Sequence, residues 1–265
     1  MTSTTAAEAA RRDARWRAAR PVLAVVFWVG CWQVAATALD QQILLVPPGE
    51  VVVRLVELGG TADFWATVWH SFARIVSGFG AATIVGVLLA ALAATSRVVD
   101  ALVTPLATAI RTTPVVSFII LVLMWSGSGR LAFLISFMMV APIIYTNVLE
   151  GIHRRDRALL EVAEVFGIPL VRRIPAIDVP AVLPYLVAGC RVGVGLAWKS
   201  GIAAEVIGLP QGSIGERLYQ AKIFLSTADV FAWTLVVIAL SFAVEKAVLV
   251  LLGRSQRSPS RVGSR

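Results

Sequence analysis

The chain of 265 residues is 58% hydrophobic and has a mean hydropathy of +0.81, a composition that excludes an ordinary water-soluble globular domain. Charged residues make up 15% of it, against about a quarter in soluble domains. The net charge of +8 does not indicate nucleic-acid binding, because the arginines gather in the two tails and in one loop, as they do in cytoplasmic segments of membrane proteins.

Several apolar runs are long enough to cross a hydrocarbon core, which needs roughly 20 helical residues. They are continuous rather than alternating, so they predict helices and not barrel strands. The expected fold is therefore all-α, a polytopic membrane protein with about six transmembrane helices. The transmembrane domain is predicted over residues 21–253, with spans at residues 21–39, 69–94, 98–125, 131–149, 181–207 and 230–253.

Both ends of the chain are predicted to be basic cytoplasmic tails, at residues 1–20 and 254–265, and the first of them is expected to be disordered. The apolar run after the first tail also resembles a signal peptide, in which Ala36-Thr37-Ala38 mimics a cleavage site. Because this run is longer than a typical signal h-region, a retained first span is the favoured interpretation.

The predicted third span is interrupted by Arg111-Thr112-Thr113-Pro114. Proline lacks a backbone donor and disfavours helical geometry in the residue before it, so the helix should be kinked or broken here. An arginine inside a span must face protein or water rather than lipid. Arg111 therefore either lies near an interface, pairs internally, or lines a pathway, and these interpretations stay open.

Residues 150–180 form the one region between spans that is both polar and patterned. Leu159–Phe166 favours a helix of about two turns, which Gly167 can end in the left-handed conformation and Pro169 prevents from resuming. A helix this short must pack on something to be stable. An even number of spans and the arginine bias both place this loop in the cytoplasm together with the two termini.

Small residues recur every four positions in the predicted fifth span, at Gly189, Gly193, Ala197 and Gly201. Such a row lets another helix come close. Because an α-helix has 3.6 residues per turn, residues four positions apart wind slowly around it, so one straight helix cannot contact the whole row. Packing within the chain and packing between two copies are both consistent with it.

Lys199 and Glu205 are polar exceptions in the same span. A lysine deep in a span is costly and is usually functional or paired. Lys199 either lines a path for an anion or forms a structural ion pair with an acid such as Glu205, and the structural interpretation is favoured. Such a pair needs helix distortion or another helix, because six positions correspond to roughly 120° around a helix. Glu205 lies near the outer end of the span, where it could also be hydrated.

Enzymatic signals are weak in this sequence. The two histidines, His70 and His153, lie far apart and have no metal-ligand spacing. The phosphate-binding pattern GxxxxGK[ST] does not occur in the sequence. We therefore expect a non-catalytic protein without a cofactor or a bound metal, which cannot itself be an ATP-driven motor.

The loop carries a recognisable signature. Glu161, Ala163, Gly167, Ile177 and Pro180 resemble the loop of ABC importer permeases, which reads Glu-Ala-Ala, three residues, Gly, nine residues, Ile-x-Leu-Pro. Every spacing matches, and the two departures are valines that are conservative in size. The resemblance extends from about residue 44 to residue 253 and is closest to the nitrate/sulfonate/taurine-type permeases. Its further matches are residues 46–51, Arg111 with Pro114, and residues 195–198, 203–205 and 227–230.

The resemblance implies an importer-permease (MetI-like) core with a cytoplasmic coupling helix, in a prokaryotic plasma membrane. It implies a homodimer whose copies each bind one of two cytoplasmic ATPase subunits, and an extracytoplasmic solute-binding protein that delivers a small solute. Relatives of this type carry small anions such as nitrate, sulfonates and bicarbonate, and also pyrimidine vitamin precursors. An anion of the nitrate, sulfonate or taurine kind is the expectation, and the exact substrate stays open. ATPase coupling would then belong to Glu161, Ala163, Glu164, Gly167, Ile168, Ile177 and Pro180. Candidates for the translocation path are Arg111, Pro114, Trp198, Lys199 and Glu205.

A stand-alone secondary transporter or channel is the alternative prediction. Such proteins usually combine inverted repeats with broken helices at the membrane midplane. The interrupted third span fits that description, but the sequence has no convincing internal repeat.

Overall fold

A computed structural model describes residues 3–256, and within this range the chain is built from helices and short connections. The all-α prediction is confirmed. The α-helices are α1 (Ser3–Leu39), α2 (Pro48–Gly59), α3 (Ala62–Thr95), α4 (Arg97–Thr112), α5 (Val115–Ser126), α6 (Leu131–His153), α7 (Arg157–Val165), α8 (Leu170–Arg173), α9 (Val179–Gly208), α10 (Ile214–Ile223) and α11 (Thr227–Gln256).

Five helical stretches are long and apolar enough to cross a membrane: Val22–Leu39, Ala62–Thr95, Ser128–His153, Leu170–Gly208 and Thr227–Leu251. A sixth crossing arises if α4 and α5 count as one span, although the two helices meet at an angle of 106°. Thr113 at the junction is extended (φ −78°, ψ 136°), as a residue before proline prefers, and Pro114 precedes the first turn of α5. The predicted break in the third span is therefore present.

The N-terminal segment differs from the prediction. Helix α1 begins at Ser3, so the stretch expected to be a disordered tail is helical over residues 3–20. The physical reason is that this stretch is rich in alanine and arginine, which have high helix propensity. Residues 257–265 of the predicted C-terminal tail lie outside the described residues, and α11 continues to Gln256.

The start of the fifth span also differs from the prediction. Pro169 was expected to keep the chain from forming helix, but it instead precedes a new helix that begins at Leu170. The chain continues through a π-helical turn at Ile174–Asp178 into α9 without a non-helical gap. A proline just before a helix removes no intrahelical hydrogen bond, since the first donors of a helix have no partner in any case.

The chain divides into two compact units, one made of residues 1–61 with 221–232 and the other of residues 62–220 with 233–265. In the first unit, Trp32 Nε1 donates to the carbonyl of Val46 (3.0 Å), and Arg54 bonds both Glu57 (3.0 Å) and Asp229. The hydrogen bonds to Asp229 and Glu57 raise the pKa of the Arg54 guanidinium, which is therefore charged at any physiological pH.

In the second unit, α6 packs along both α3 and α9. The row of small residues of α9 lies where α9 contacts these two helices. A Cβ placed on Gly189 would lie 3.2 Å from Asn147 of α6, and one on Gly193 would meet α6 and α3. The carbonyl of Ala197 accepts a hydrogen bond from Ser136 Oγ of α6 (3.1 Å). Within this chain the row of small residues therefore packs against two helices, α3 and α6, as expected of a row that winds around its helix.

Gly201 is the tightest of these positions and allows a stability test. A Cβ on Gly201 would lie 2.7 Å from Ile75 Cγ1 and 2.7 Å from Ser136 Oγ, so Gly201→Val should destabilise the protein by about 1–3 kcal/mol through overpacking. Gly195→Val on the same helix is the matched control, because a Cβ there meets nothing within 4 Å. Thermal unfolding in detergent would measure both, and equal unfolding temperatures would contradict the packing assignment.

Candidate functional site

A cavity of about 460 Å³ lies beside the break between α4 and α5. The residues around the break contribute Ile110, Arg111, Thr113 and Val115, and α6 and α9 supply the other walls. Pro114 fixes the break but does not line the cavity. The wall residues of α6 and α9 are Met139, Ile143, Thr146, Asn147, Val192 and Leu196.

The polar groups of this cavity are mostly engaged, and Arg111 is the exception. The hydroxyls of Thr113 and Thr146 donate to backbone carbonyls of Ala109 (2.8 Å) and Pro142 (3.0 Å). The Asn147 amide also donates to a carbonyl of its own helix (2.8 Å). Among the described residues Arg111 has neither an ion pair nor a hydrogen-bond partner, so its guanidinium is the strongest free donor in the cavity.

Two further cations lie on α9 near this cavity. Arg191 and Lys199 are exposed, and neither has an ion-pair partner within residues 3–256. The favoured prediction that Lys199 pairs with Glu205 is therefore wrong in this structure. Trp198, another path candidate, is only 2% exposed and contacts Phe72 (ring centroids 6.3 Å apart), so its place is in the core between α3 and α9.

Glu205 is completely buried and is the centre of a polar network, so the interpretation that it is hydrated is also wrong. Its Oε2 accepts hydrogen bonds from Ser71 Oγ (2.7 Å) and from the backbone N–H of Gly215 (3.3 Å). Ser71 Oγ in turn accepts from the N–H of Ile214 (2.9 Å). The second carboxylate oxygen lies 4.0 Å from Arg74 Nη1.

This network fastens the first turn of α10 to α3 and α9. A Cβ on Gly215 would lie 2.3 Å from Glu205 Cβ, so only glycine permits the approach. Arg217 of the same turn also pairs with Asp63 at the start of α3 (2.5 Å). The segment after α9 is thus a fixed cap over the end of α9 in this conformation.

The patterned loop contains the predicted short helix, which is α7. Asp156 accepts a hydrogen bond from the N–H of Ala158 (2.9 Å) at its start. At its end Gly167 has φ +59°, with hydrogen bonds from Gly167 N–H to Glu164 O (3.0 Å) and from Ile168 N–H to Ala163 O (2.8 Å). This pair of bonds is a Schellman motif, the glycine-ended helix terminus that the sequence predicts.

One side of α7 packs against the protein, and the other side, with Glu161, Glu164, Val165 and Phe166, is a bare surface exposed to solvent. Ala163 is buried, whereas Glu161 and Glu164 are exposed. Val165 and Phe166 are 82% and 76% exposed, an apolar surface that has no partner among the described residues. Of the remaining predicted coupling residues, Ile168 and Pro180 are exposed and Ile177 is half-buried in the π-helical turn. Exposed apolar groups rimmed by charges are typical of surfaces that contact another protein, a membrane or a ligand.

Sequence reasoning missed a charged cluster that holds this loop in place. Asp178 accepts hydrogen bonds from Arg155 Nη1 and from Arg173 Nε (3.2 Å), which ties the end of α6 to α8 and the π-helical turn. Arg155 precedes α7 in the chain and Asp178 follows it, so the cluster joins the segments before and after this helix. The available signal was that Asp178 is the one acid in residues 165–180, which also contain the two arginines Arg172 and Arg173.

Comparisons with known proteins agree with this architecture. The family model described as "Binding-protein-dependent transport system inner membrane component" matches residues 82–255. The chain is 27% identical over 252 residues to the taurine transport system permease protein TauC of Escherichia coli, covering 91% of each protein. It is 31% identical over 216 residues to the permease SsuC of the same bacterium, which is named for aliphatic sulfonate transport, covering 80% of this chain and 81% of that protein.

A solved structure shows the same fold. The permease chain of the methionine ABC transporter MetNI, in inward-facing conformations, superposes with a TM-score of 0.51 and 20% identity. The match covers 74% of this chain and 94% of that chain. At this identity the likeness concerns the fold, which is the MetI-like core that the sequence resemblance implied.

Proposed function

The chain belongs to the family of binding-protein-dependent transport system inner membrane components, and from this premise we propose that it forms the path for a small anionic solute in an ATP-driven importer. It is a permease with several apolar membrane helices. The proposal that the solute is negatively charged rests on the cavity at the helix break, where Arg111 has a free guanidinium.

Cations on the spans support an anionic solute. Arg111, Arg191 and Lys199 are exposed within apolar helices, and among the described residues none of them is neutralised by an acid. A charge facing hydrocarbon is expensive, so these side chains require water, protein or an anion beside them. TauC and SsuC are named for solutes that carry sulfonate groups, and we propose an oxyanion of this kind for this chain as well.

Lys199→Met tests the role of the α9 cations. We expect uptake of a sulfonate to fall roughly tenfold or more at low solute concentration, since a hydrogen bond to a charged group contributes about 1.5–3 kcal/mol. Lys246→Met, an exposed lysine on α11, is the matched control and should transport normally. Uptake would be measured in proteoliposomes together with the assembly of the importer, and unchanged uptake by an assembled Lys199→Met importer would remove Lys199 from the path.

We propose that the bare surface of α7 binds a cytoplasmic ATPase subunit. Its exposed apolar pair, Val165 and Phe166, lies next to the acids Glu161 and Glu164, which gives the surface both hydrophobic and charged contacts. Coupling by linkage requires that this contact differ between the two states of the ATPase. This orientation puts both termini and residues 150–180 in the cytoplasm, with residues 21–253 as the transmembrane domain.

Further partners follow from the same proposal. A second copy of this chain would complete the path, and the cations of α9 would then face the water between the two copies. An extracytoplasmic binding protein would deliver the solute, and ATP hydrolysis would belong to the ATPase subunits, so this chain would be non-catalytic.

A stand-alone transporter is the competing function, and the broken span between α4 and α5 is the observation in its favour. Uptake into vesicles that contain this chain and no ATP would support the alternative. Uptake that depends strictly on ATP, with an ATPase subunit co-purifying in equal number, would exclude it.

A further inference from the structure

A largely apolar groove of about 450 Å³ lies between the C-terminal end of α3 and the segment that leads into α9. It runs along α3 from Val87 to Thr95, which is about 12 Å at 1.5 Å per residue. Its opposite wall comes from α8, the π-helical turn and the start of α9. Its apolar lining includes Val87 and Ala91 of α3, Val148 and Ile152 of α6, and Val182 and Leu186 of α9.

One end of this groove carries a surplus positive charge. Arg155 and Arg173 both line it, and both bond the same acid, Asp178. Arg155 also donates its Nε–H to the carbonyl of Ile152 (2.8 Å). Arg173 uses only its Nε–H in the cluster, and its two Nη groups have no partner among residues 3–256, so they are available to bind a ligand. Two guanidinium groups facing one carboxylate leave one positive charge without a counterion.

An occupant of this groove must therefore be apolar along its length and anionic at one end. A helix from a second copy would fill the apolar part but would leave the surplus charge unneutralised. An acidic side chain of a cytoplasmic partner could reach the arginines but not a groove that extends about 12 Å along the spans. A phospholipid with an anionic head group meets both requirements, and basic pockets at the cytoplasmic ends of membrane helices are known to bind such lipids.

We propose that this groove binds an anionic phospholipid of the cytoplasmic leaflet, with its phosphate on Arg155 and Arg173 and an acyl chain along α3 and α9. The choice of leaflet rests on the proposed orientation of the permease. The lipid would join α3 to the two segments that bracket α7, and it would therefore stabilise the loop that carries the proposed coupling surface.

The test is lipid binding by the complete importer in nanodiscs of phosphatidylcholine with a small fraction of phosphatidylglycerol. Native mass spectrometry should find phosphatidylglycerol enriched on the wild-type complex. Arg155→Gln combined with Arg173→Gln should lower this preference by about fivefold per arginine, since each basic residue near an anionic membrane contributes about 1 kcal/mol. Arg172→Gln is the matched control, because Arg172 is an exposed arginine of α8 that does not line the groove, and it should keep the enrichment.

A second variant separates the acyl chain from the head group. Ala91→Phe fills the groove without changing charge, so it should also abolish the enrichment, and it keeps the proposal testable if the double variant does not assemble. Displacement of the lipid by millimolar inorganic phosphate, with Ala91→Phe binding as the wild type does, would instead indicate a free-anion site. An equal loss in Arg172→Gln, or no preference for phosphatidylglycerol, would overturn the proposal.

Failure of this proposal is distinguishable from failure of the proposed function. A complex that imports solute but shows no phosphatidylglycerol enrichment overturns the lipid site alone. A complex that binds the lipid but needs no ATP for uptake overturns the importer mechanism and leaves the lipid site standing.

Discussion

Gly167→Val should lower ATP-dependent uptake by at least about tenfold, whereas Gly167→Asn should retain most of it. Gly167 has φ +59°, a conformation that costs an L-residue roughly 1–2 kcal/mol and a β-branched residue more, while asparagine adopts it readily. A Cβ at this position would meet nothing within 4 Å, so the first side-chain atom of either variant has room. The difference between the two variants therefore reports mainly the backbone conformation.

The expected loss comes from the end of α7. Without the left-handed residue, the two hydrogen bonds that close the helix, to Glu164 O and Ala163 O, cannot both form. A helix of nine residues has little stability of its own, so Val165 and Phe166 would no longer be presented in one arrangement. Co-purification of the ATPase subunit would measure docking, and insertion of the permease into the membrane would serve as the control for folding.

Reversal of an exposed charge tests the same surface without altering the backbone. Glu161→Lys should weaken ATPase binding and uptake while leaving membrane insertion unchanged, because Glu161 is exposed and its side chain has no hydrogen bond or ion pair among the described residues. If uptake and ATPase association survive both Gly167→Val and Glu161→Lys, then α7 is not the docking element.

Features that depend on local rules were predictable from the sequence. The end of α7 follows from Gly167, and the break of the third span follows from Pro114. The apolar runs likewise identify the membrane helices, because a run of roughly 20 apolar residues has few other stable environments. In each case the cause and its consequence lie within a few residues of each other.

Features that depend on distant partners were not predictable. Glu205 binds Ser71, 134 positions earlier in the chain, and only the packing of α3 against α9 brings the two together. The cost of a lysine inside a span suggested an ion pair of Lys199 with an acid such as Glu205, although their spacing on the helix did not favour it. The Asp178 cluster was missed for a related reason, since Arg155 reaches it across the whole of α7.

Glu205→Ala should reduce the free energy of unfolding by about 1–3 kcal/mol for each buried donor that loses its acceptor. Three groups would lose their acceptor or counterion together: the Ser71 hydroxyl, the Gly215 N–H and the Arg74 guanidinium. Glu205→Gln should cost less, because an amide oxygen can still accept the first two hydrogen bonds but cannot neutralise Arg74. Unfolding of the purified permease in detergent would rank the two variants.

A double-mutant cycle measures how much of the stability lost in Glu205→Ala comes from leaving the charge of Arg74 without a counterion. Arg74→Met added to Glu205→Ala should restore part of the stability, since the double variant no longer buries an unpaired cation. Glu161→Ala is the matched control, an exposed glutamate whose replacement should change the stability by no more than about 0.5 kcal/mol. A double variant less stable than Glu205→Ala would show that Arg74 contributes through packing and not through its charge. A Glu205→Ala protein that unfolds like the control would mean that the cap at α10 is held by Ser71, Arg217 and the close approach of Gly215 without the carboxylate.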